Sequence, residues 1–491
     1  MGKSKSAYLA IDMGAESARA IVGHLENGVI KTEEIHRWPS RNISVQGVQY
    51  WDVLYIFDEV KTAIKKFVQL YGNNLSGIGV DSWGVDYGLL GESGQLLQNP
   101  VQYRDHRTDG LLEKCGEVMP PAEIYRETGI AFLPFNTLLQ LWSLKDVAPE
   151  LLREGKTFLM MPDLLHYFLS GVKVCEYTNA STTQLLNAAT RTWSEELFDA
   201  FNLPINMMPK VVEPGTILGP LAQNICEETG LKSCDVIAPC THDTASAVLA
   251  VPADGDNWAY ISCGTWSLLG AELDEPITTE AARAANFTNE GGHGNTIRFL
   301  KNIAGLWVLQ QARAAWQKEG QEYSYAELTE LAEQENPFRH PLDVSDPRFY
   351  NPPDMLEEIQ GYYQDHDQRT PESIPAMVRA ILEGIAVSYA HGLTELESVT
   401  GKHFEKIHMV GGGIQNRLLC QMASSAMGRT VLAGPVEGTA LGNIATQALA
   451  KGDIENRNDL REIVRTSVSI TTYEPQNHDD WIAFIAESVR T

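Results

Sequence analysis

Apolar and polar positions follow the same pattern twice along the chain. Tyr8–Val22 (YLAIDMGAESARAIV) and Ala259–Leu273 (AYISCGTWSLLGAEL) each read as an apolar strand, a polar glycine-containing turn and a second apolar strand. That is the signature of a hairpin. After the first copy, Val29–Arg37 continues as strand. Val53–Leu70 then places Val53, Phe57, Val60, Ile64, Phe67 and Leu70 at helical intervals. Leu75–Asp81 reads as a buried strand, and residues 85–97 as a hairpin turning at Gly91, Ser93 and Gly94. The middle, 105–235, is helix-rich with Pro and Gly breaks, and Asp235–Ala238 resumes a strand.

The second copy is followed by a similar series. Ile374–Leu396 has the period of a long helix, with Pro375 tolerated in its first turn. Lys406–Val410 reads as a strand, Gly411–Gly413 as a turn, Asn416–Met427 as a helix, Arg429–Leu432 as a strand and Gly438–Ala450 as a helix. Both series predict α/β layers. The hydrophilic PADGDN stretch at 252–257 is the best boundary, dividing the chain into domains 1–251 and 257–491.

Composition narrows the partners. A chain of 491 residues is long enough for roughly two to four domains, and 43% hydrophobic residues is ordinary for a folded protein. A net charge of −26 argues against a nucleic-acid binder, which would need a cationic surface. An anionic ligand would need directed N–H groups, a few cations or Mg²⁺. Cys115, Cys175, Cys226, Cys234, Cys240, Cys263 and Cys420 are scattered, without metal-ligand spacing, and read as reduced thiols. Met1–Ser6 is short, polar and basic, leaving no room for a signal peptide's apolar region, and no apolar run approaches the ~20 residues that span a bilayer. The expected setting is cytoplasmic, with no membrane partner.

Two glycine-containing turns in duplicated layers suit a two-sided grip on the phosphates of ATP. Asp12 ends a strand just before Gly14, as a Mg²⁺-linked carboxylate or as an Asp stabilising its own turn. Ser17 and Arg19 share one side of the returning strand and reach toward a phosphate, unless Arg19 is simply a surface residue. Thr265 occupies the equivalent turn of the second copy, and Gly411–Gly413 lets the backbone approach a ligand closely or merely caps a helix. Neither GxGxxG nor GxxxxGK[ST] spacing occurs, which disfavours a Rossmann site and a P-loop. Thr241–His242–Asp243–Thr244 follows a strand. Asp243 is either a proton acceptor for a substrate hydroxyl or a helix N-cap. His242 is a sugar-facing group or a satisfied core or turn histidine. Ser82–Asp86 and Tyr103–Arg107 combine aromatic and charged groups that suit a sugar, or else buried Trp and a surface ion pair.

Taken together, the chain resembles the FGGY carbohydrate kinase family. The motifs that carry the resemblance occur in the family's order across almost the whole chain: AIDMGAESAR, DSWGVDYGLL, PVQYRDHRT, LPFNTLLQL, MPDLLHYFLSG, EYTNASTTQLLN, THDTASAV, ISCGTWSLLG, NFTNEGG, KNIAGLWVLQ and MVGGGIQNRLLCQM. The resemblance implies an α/β fold of two actin-like, ribonuclease H-type domains with ATP and sugar between them. It implies that Asp243 is the general base for transfer of the γ-phosphate to a ketose 1-hydroxyl, with L-rhamnulose expected and L-fuculose or D-xylulose as alternatives. Gly84, His242, Asp243, Thr244 and Asn302 match sugar-lining positions. Ala15, Glu16, Ser17, Ala18, Arg19, Thr265, Gln310, Gly412 and Gly413 match positions near the nucleotide, and Asp12 the Mg²⁺-associated carboxylate. Monomer and homodimer both stay open. A non-catalytic actin- or chaperone-type ATP-binding module would share the duplication, but needs no THDT-type base.

One departure bears on the nucleotide. Glu16 and Ala18 stand where the family pattern has a small hydroxyl residue and Gly. A carboxylate about 5 Å from a phosphate would cost roughly 3 kcal/mol per unit charge at an effective dielectric near 20. Glu16 is therefore expected to turn away, or to meet phosphate only through Mg²⁺ or water.

Overall fold

The computed structural model describes residues 6–350 and 352–488. The chain forms two compact units. The first takes residues 1–252, 272–299 and 438–467, and the second takes 253–271, 300–437 and 468–491. The first change of unit falls after residue 252, and 272–299 and 438–467 belong to the same unit as the residues before it. Met1–Lys5, part of the polar N-terminal stretch, lies outside the described residues.

Both hairpins form, as Ser6–Met13 with Ser17–Glu26 and as Trp258–Cys263 with Trp266–Leu273. In the first unit the strand order is Thr216–Pro220, Asp235–Ala238, Gly77–Ser82, Ser6–Met13, Ser17–Glu26, Val29–Pro39. Asp235–Ala238, Gly77–Ser82 and Ser6–Met13 run parallel, and each of the other strands pairs antiparallel with its inner neighbour. The second unit repeats the scheme. Trp258–Cys263, Lys406–Val410 and Thr430–Ala433 run parallel, flanked by antiparallel Trp266–Leu273 and Thr471–Tyr473. Parallel strands put their carboxyl ends on one edge, where α/β sheets expose ligand groups. Asp12, Asp81 and the Thr241–Thr244 segment lie at that edge in the first unit, and Cys263–Thr265 and Gly411–Gly413 lie there in the second.

Local sequence explains the supporting helices. Val53–Tyr71 buries Val53, Ile56, Val60, Ala63, Ile64 and Phe67 along one stripe, starts with the Asp52 carboxylate accepting from Tyr55 N–H, and ends at Gly72 with φ 73°. Only glycine adopts that conformation without strain. Ile374–Thr400 begins with Ser373 as N-cap and Pro375 in its first turn. All seven cysteines are buried and free. Among the described residues no helix is long and apolar enough to cross a membrane.

The 85–97 segment differs from the hairpin expected. Its turn closes through Gly91 N–H and the Gln95 carbonyl, but the return leg makes only an isolated bridge at Leu96. Tyr87–Leu90 pairs instead with Thr157–Met160. The partner strand lies about 70 residues later in sequence, where periodicity cannot reveal it.

Candidate active site

The first turn is built on a three-strand register. Asp12 stands opposite Arg19 on the antiparallel neighbour and opposite Asp81 on the parallel one. Arg19 Nη2 lies 2.5 Å from Asp12 Oδ2. Gly14 N–H donates to the Ser17 carbonyl, closing the turn, and Ser40 braces it by donating from N–H to the Glu16 carbonyl and from Oγ to the Gly14 carbonyl. Ala15 and Glu16 are exposed, and Ser17 and Arg19 are half-buried on one face of their strand. Ala18, between them, points into the core, so only its backbone faces the turn.

Asp81 was not among the residues expected. It is fully buried, and Asn443 Nδ2 donates to its Oδ2 at 2.5 Å while Oδ1 has no hydrogen-bond partner. Burial, then the charges of Asp12 and Asp243, hold its carboxyl well above the usual range. Among the described residues no three ligating side chains gather to hold a metal unaided. The oxygens of Asp12 and Asp81 nevertheless suit Mg²⁺, which takes one or two carboxylates and completes its shell with water and substrate phosphates.

The predicted sugar residues of the first unit converge through a buried carboxylate. Glu176 accepts from Thr178 N–H (2.9 Å) and Oγ1 (2.5 Å) and from Thr241 N–H (2.9 Å) and Oγ1 (2.6 Å). Thr178 Oγ1 in turn accepts from His242 N–H at 3.1 Å. Ser82 N–H donates to the Thr241 carbonyl, and Asn179 Nδ2 contacts both the Trp83 and Thr241 carbonyls at 3.3 Å. These bonds tie the loop at Gly84 to the loop at Asp243. A Cβ on Gly84 would lie 2.9 Å from Thr182 Oγ1, so glycine is needed there for space. Val85 adopts φ 68°, an uncommon state for a β-branched residue. It is held by Thr182 Oγ1 accepting from its N–H and Thr137 Oγ1 donating to its carbonyl. Such strain persists only where the surroundings impose it.

Asp243 is the first residue of helix Asp243–Leu249, and the N-cap position belongs to His242, whose side chain makes no cap bond. The Asp243 side chain is 29% exposed, and its Oδ1 accepts from Thr244 N–H and Oγ1. It therefore keeps an accessible carboxylate instead of serving as N-cap. His242 Nε2 lies 3.5 Å from that oxygen.

The Trp83 part of the aromatic patch packs in the core, while Tyr103 is half-buried and Arg104 and His106 are exposed. Trp51 and Trp83 are buried with ring centroids 4.3 Å apart, and both indole N–H groups donate to Asp86 Oδ2. Burial pushes Asp86 up to about 6.

In the second unit, Thr265 bonds the start of the helix that carries Gln310, and the glycine turn packs on Cys263. The Gly264 and Thr265 carbonyls accept from Leu306 and Trp307 N–H, which fixes the start of helix Trp307–Lys318 and hence Gln310 in its first turn. The buried Oε1 of Gln310 has no hydrogen-bond partner. Gly413 packs on Cys263 while Gly412 faces open space. Asn302 is exposed beside a cavity of about 600 Å³ that Trp266, Lys301, Trp307 and Tyr350 help to line; it belongs to the second unit, and the other predicted sugar residues belong to the first.

The two α/β units carry carboxylates and glycine turns at their strand ends, and the chain belongs to the FGGY family of carbohydrate kinases. The N-terminal domain of that family matches residues 7–250 and its C-terminal domain residues 259–451. The chain is 40% identical over 472 residues to a rhamnulokinase of Bacillus subtilis (strain 168), covering 96% of each chain. It is 42% identical over 465 residues to a rhamnulokinase of Halalkalibacterium halodurans, covering 95% of this chain and 98% of the relative. The fold is also that of a ligand-bound xylulose kinase from Lactobacillus acidophilus, with TM-score 0.82 at 18% identity over 99% of this chain and 97% of the other.

Glu176, Asn179, Asp81, Asn443, Glu290 and Arg298 carry site geometry that the sequence reading missed. Asp81 ends a strand just as Asp12 does, so the same rule applies to it. Arg298 and Asn443 are polar residues inside apolar runs, a signal of buried pairing.

Proposed function

We propose that this enzyme transfers the γ-phosphoryl group of ATP to the 1-hydroxyl of L-rhamnulose. The observation that carries the reading is the likeness to rhamnulokinases, at 40–42% identity over 95% or more of the chain. Asp243 accepts the proton of the 1-hydroxyl. The O1–phosphorus bond forms as the bond to the β-phosphate oxygen breaks, and ADP leaves. Gly84, His242, Thr244 and Asn302 contact the sugar. Ala15–Arg19, Thr265, Gln310, Gly412 and Gly413 contact the nucleotide, with Ala18 contributing only backbone. Phosphoryl transfer needs mostly positioning and charge neutralisation. Asp12 and Asp81 would hold a Mg²⁺ ion, which would supply the charge neutralisation when bound.

A coupled ADP-release assay across L-rhamnulose, L-fuculose and D-xylulose tests the substrate, with the highest kcat/KM expected for L-rhamnulose. Asp243→Asn tests the base, with kcat expected to fall about 10²- to 10⁴-fold. Near-normal kcat would overturn that assignment.

A further inference from the structure

His242 is held from behind by two residues with no role so far. Glu290 ends toward it from strand Thr288–Gly291, and Arg298 from strand Ile297–Ala304. Arg298 is fully buried and its Nε donates to the Gly291 carbonyl at 2.8 Å. Its Nη2 lies 2.9 Å from His242 Nδ1 and 3.0 Å from Glu290 Oε2, which is itself 3.2 Å from His242 Nδ1. A guanidinium taken out of water is costly even when paired, and an aliphatic side chain would serve packing at this strand position better. Its placement therefore points to a task other than stability.

We propose that Arg298, neutralised by Glu290, is a positioning residue that fixes His242 as the Nε2–H tautomer facing Asp243. The inference rests on Asp243 being the base. A guanidinium has donors only and stays charged, so the nitrogen it meets presents a lone pair. With Nδ1 accepting, the proton of a neutral imidazole sits on Nε2, 3.5 Å from Asp243 Oδ1. That N–H faces the carboxylate proposed to accept the substrate proton and orients it. Without Arg298, Glu290 is the remaining partner of Nδ1 and draws the proton there. Nε2 then turns a lone pair toward the Asp243 carboxylate, which misplaces the base.

A double-mutant cycle in the full-length enzyme tests this. Arg298→Lys keeps the charge but loses the fork, and is expected to lower kcat about ten- to a hundredfold with ATP and L-rhamnulose. In a His242→Asn background the same change is expected to cost less than about twofold, because the group it acts through is gone. Losses that multiply in the double variant would mean that Arg298 acts through the fold alone, and would overturn the inference. If Arg298→Lys does not fold, Glu290→Gln enters the same cycle under the same criteria. Near-normal kcat in Asp243→Asn overturns the base assignment and this inference with it. A large loss there together with an additive cycle overturns this inference alone.

Discussion

The carbonyl oxygen of Cys263 lies 2.9 Å from where a Cβ on Gly413 would sit, and the Cys263 sulfur is closer still. The glycine turn and the second hairpin turn therefore share one packing contact, and the backbone side of it cannot yield by rotating a side chain. Gly413→Ala is expected to destabilise by about 1–3 kcal/mol and to raise the KM for ATP. Gly412→Ala, with nothing within 4 Å of its Cβ, is expected to stay within about 0.5 kcal/mol of the parent. Urea midpoints and ATP titrations of the two variants check the contrast.

Gly442 plays the matching part beneath the proposed base. A Cβ on it would come 2.9 Å from Ser246 Cα and 2.5 Å from Ser246 C, in the backbone of the helix that Asp243 begins. Gly442→Ala is expected to push that helix away, lowering kcat by more than tenfold at a stability cost of about 1–3 kcal/mol. An unchanged kcat would show that the helix tolerates the shift.

Glu176 gathers four donors on two oxygens, and an amide cannot replace it. Glu176→Gln turns an NH₂ toward a backbone N–H whichever way it lies, Thr178 N–H at one oxygen or Thr241 N–H at the other. About 3 kcal/mol of lost stability is expected, together with reduced kcat, because Thr241 and Thr178 set the path of the backbone into Asp243. Denaturant unfolding of the apo-enzyme alongside kcat measures both effects.

His166 gives the fold a pH dependence of known sign. Its Nε2 accepts from Val80 N–H at 2.9 Å, and burial pushes its pKa down to about 3. The unfolded chain binds a proton near pH 6.5 and the folded one does not, so this contribution is intact above pH 6.5 and fades as pH falls toward 3. Between pH 6.5 and 5 it removes about 2 kcal/mol. His166→Gln keeps an acceptor for Val80 and has no such titration. Its stability is expected to fall less than the parent's over that interval, as read from urea curves at pH 7 and pH 5.

Much of the frame was legible because it is local. Val53–Tyr71, Asp235–Ala238, Lys406–Val410 and Gly438–Ala450 match the periodic segments within a residue or two, since each declares its own period. The pairing of Tyr87–Leu90 with Thr157–Met160 was not legible, because no turn joins them. Trp83 read as a sugar face because sequence reports ring chemistry and not exposure, and Asp86 takes its indole N–H inside the core. Asp12 and Asp243 stood out beside turns. Asp81 is completed by Asn443, 362 residues away, and His242 by Arg298, 56 residues away. No spacing rule links such pairs.

The chain changes unit five times, at 252, 271, 299, 437 and 467. A gene fragment ending at residue 251 would encode Asp81 and His242 but neither Asn443 nor Arg298. The apparent first half is thus not a portable module. Grafting it between sugar kinases to exchange specificity would have to carry 272–299 and 438–467 along, so for protein engineering the exchangeable piece is three separate stretches of sequence.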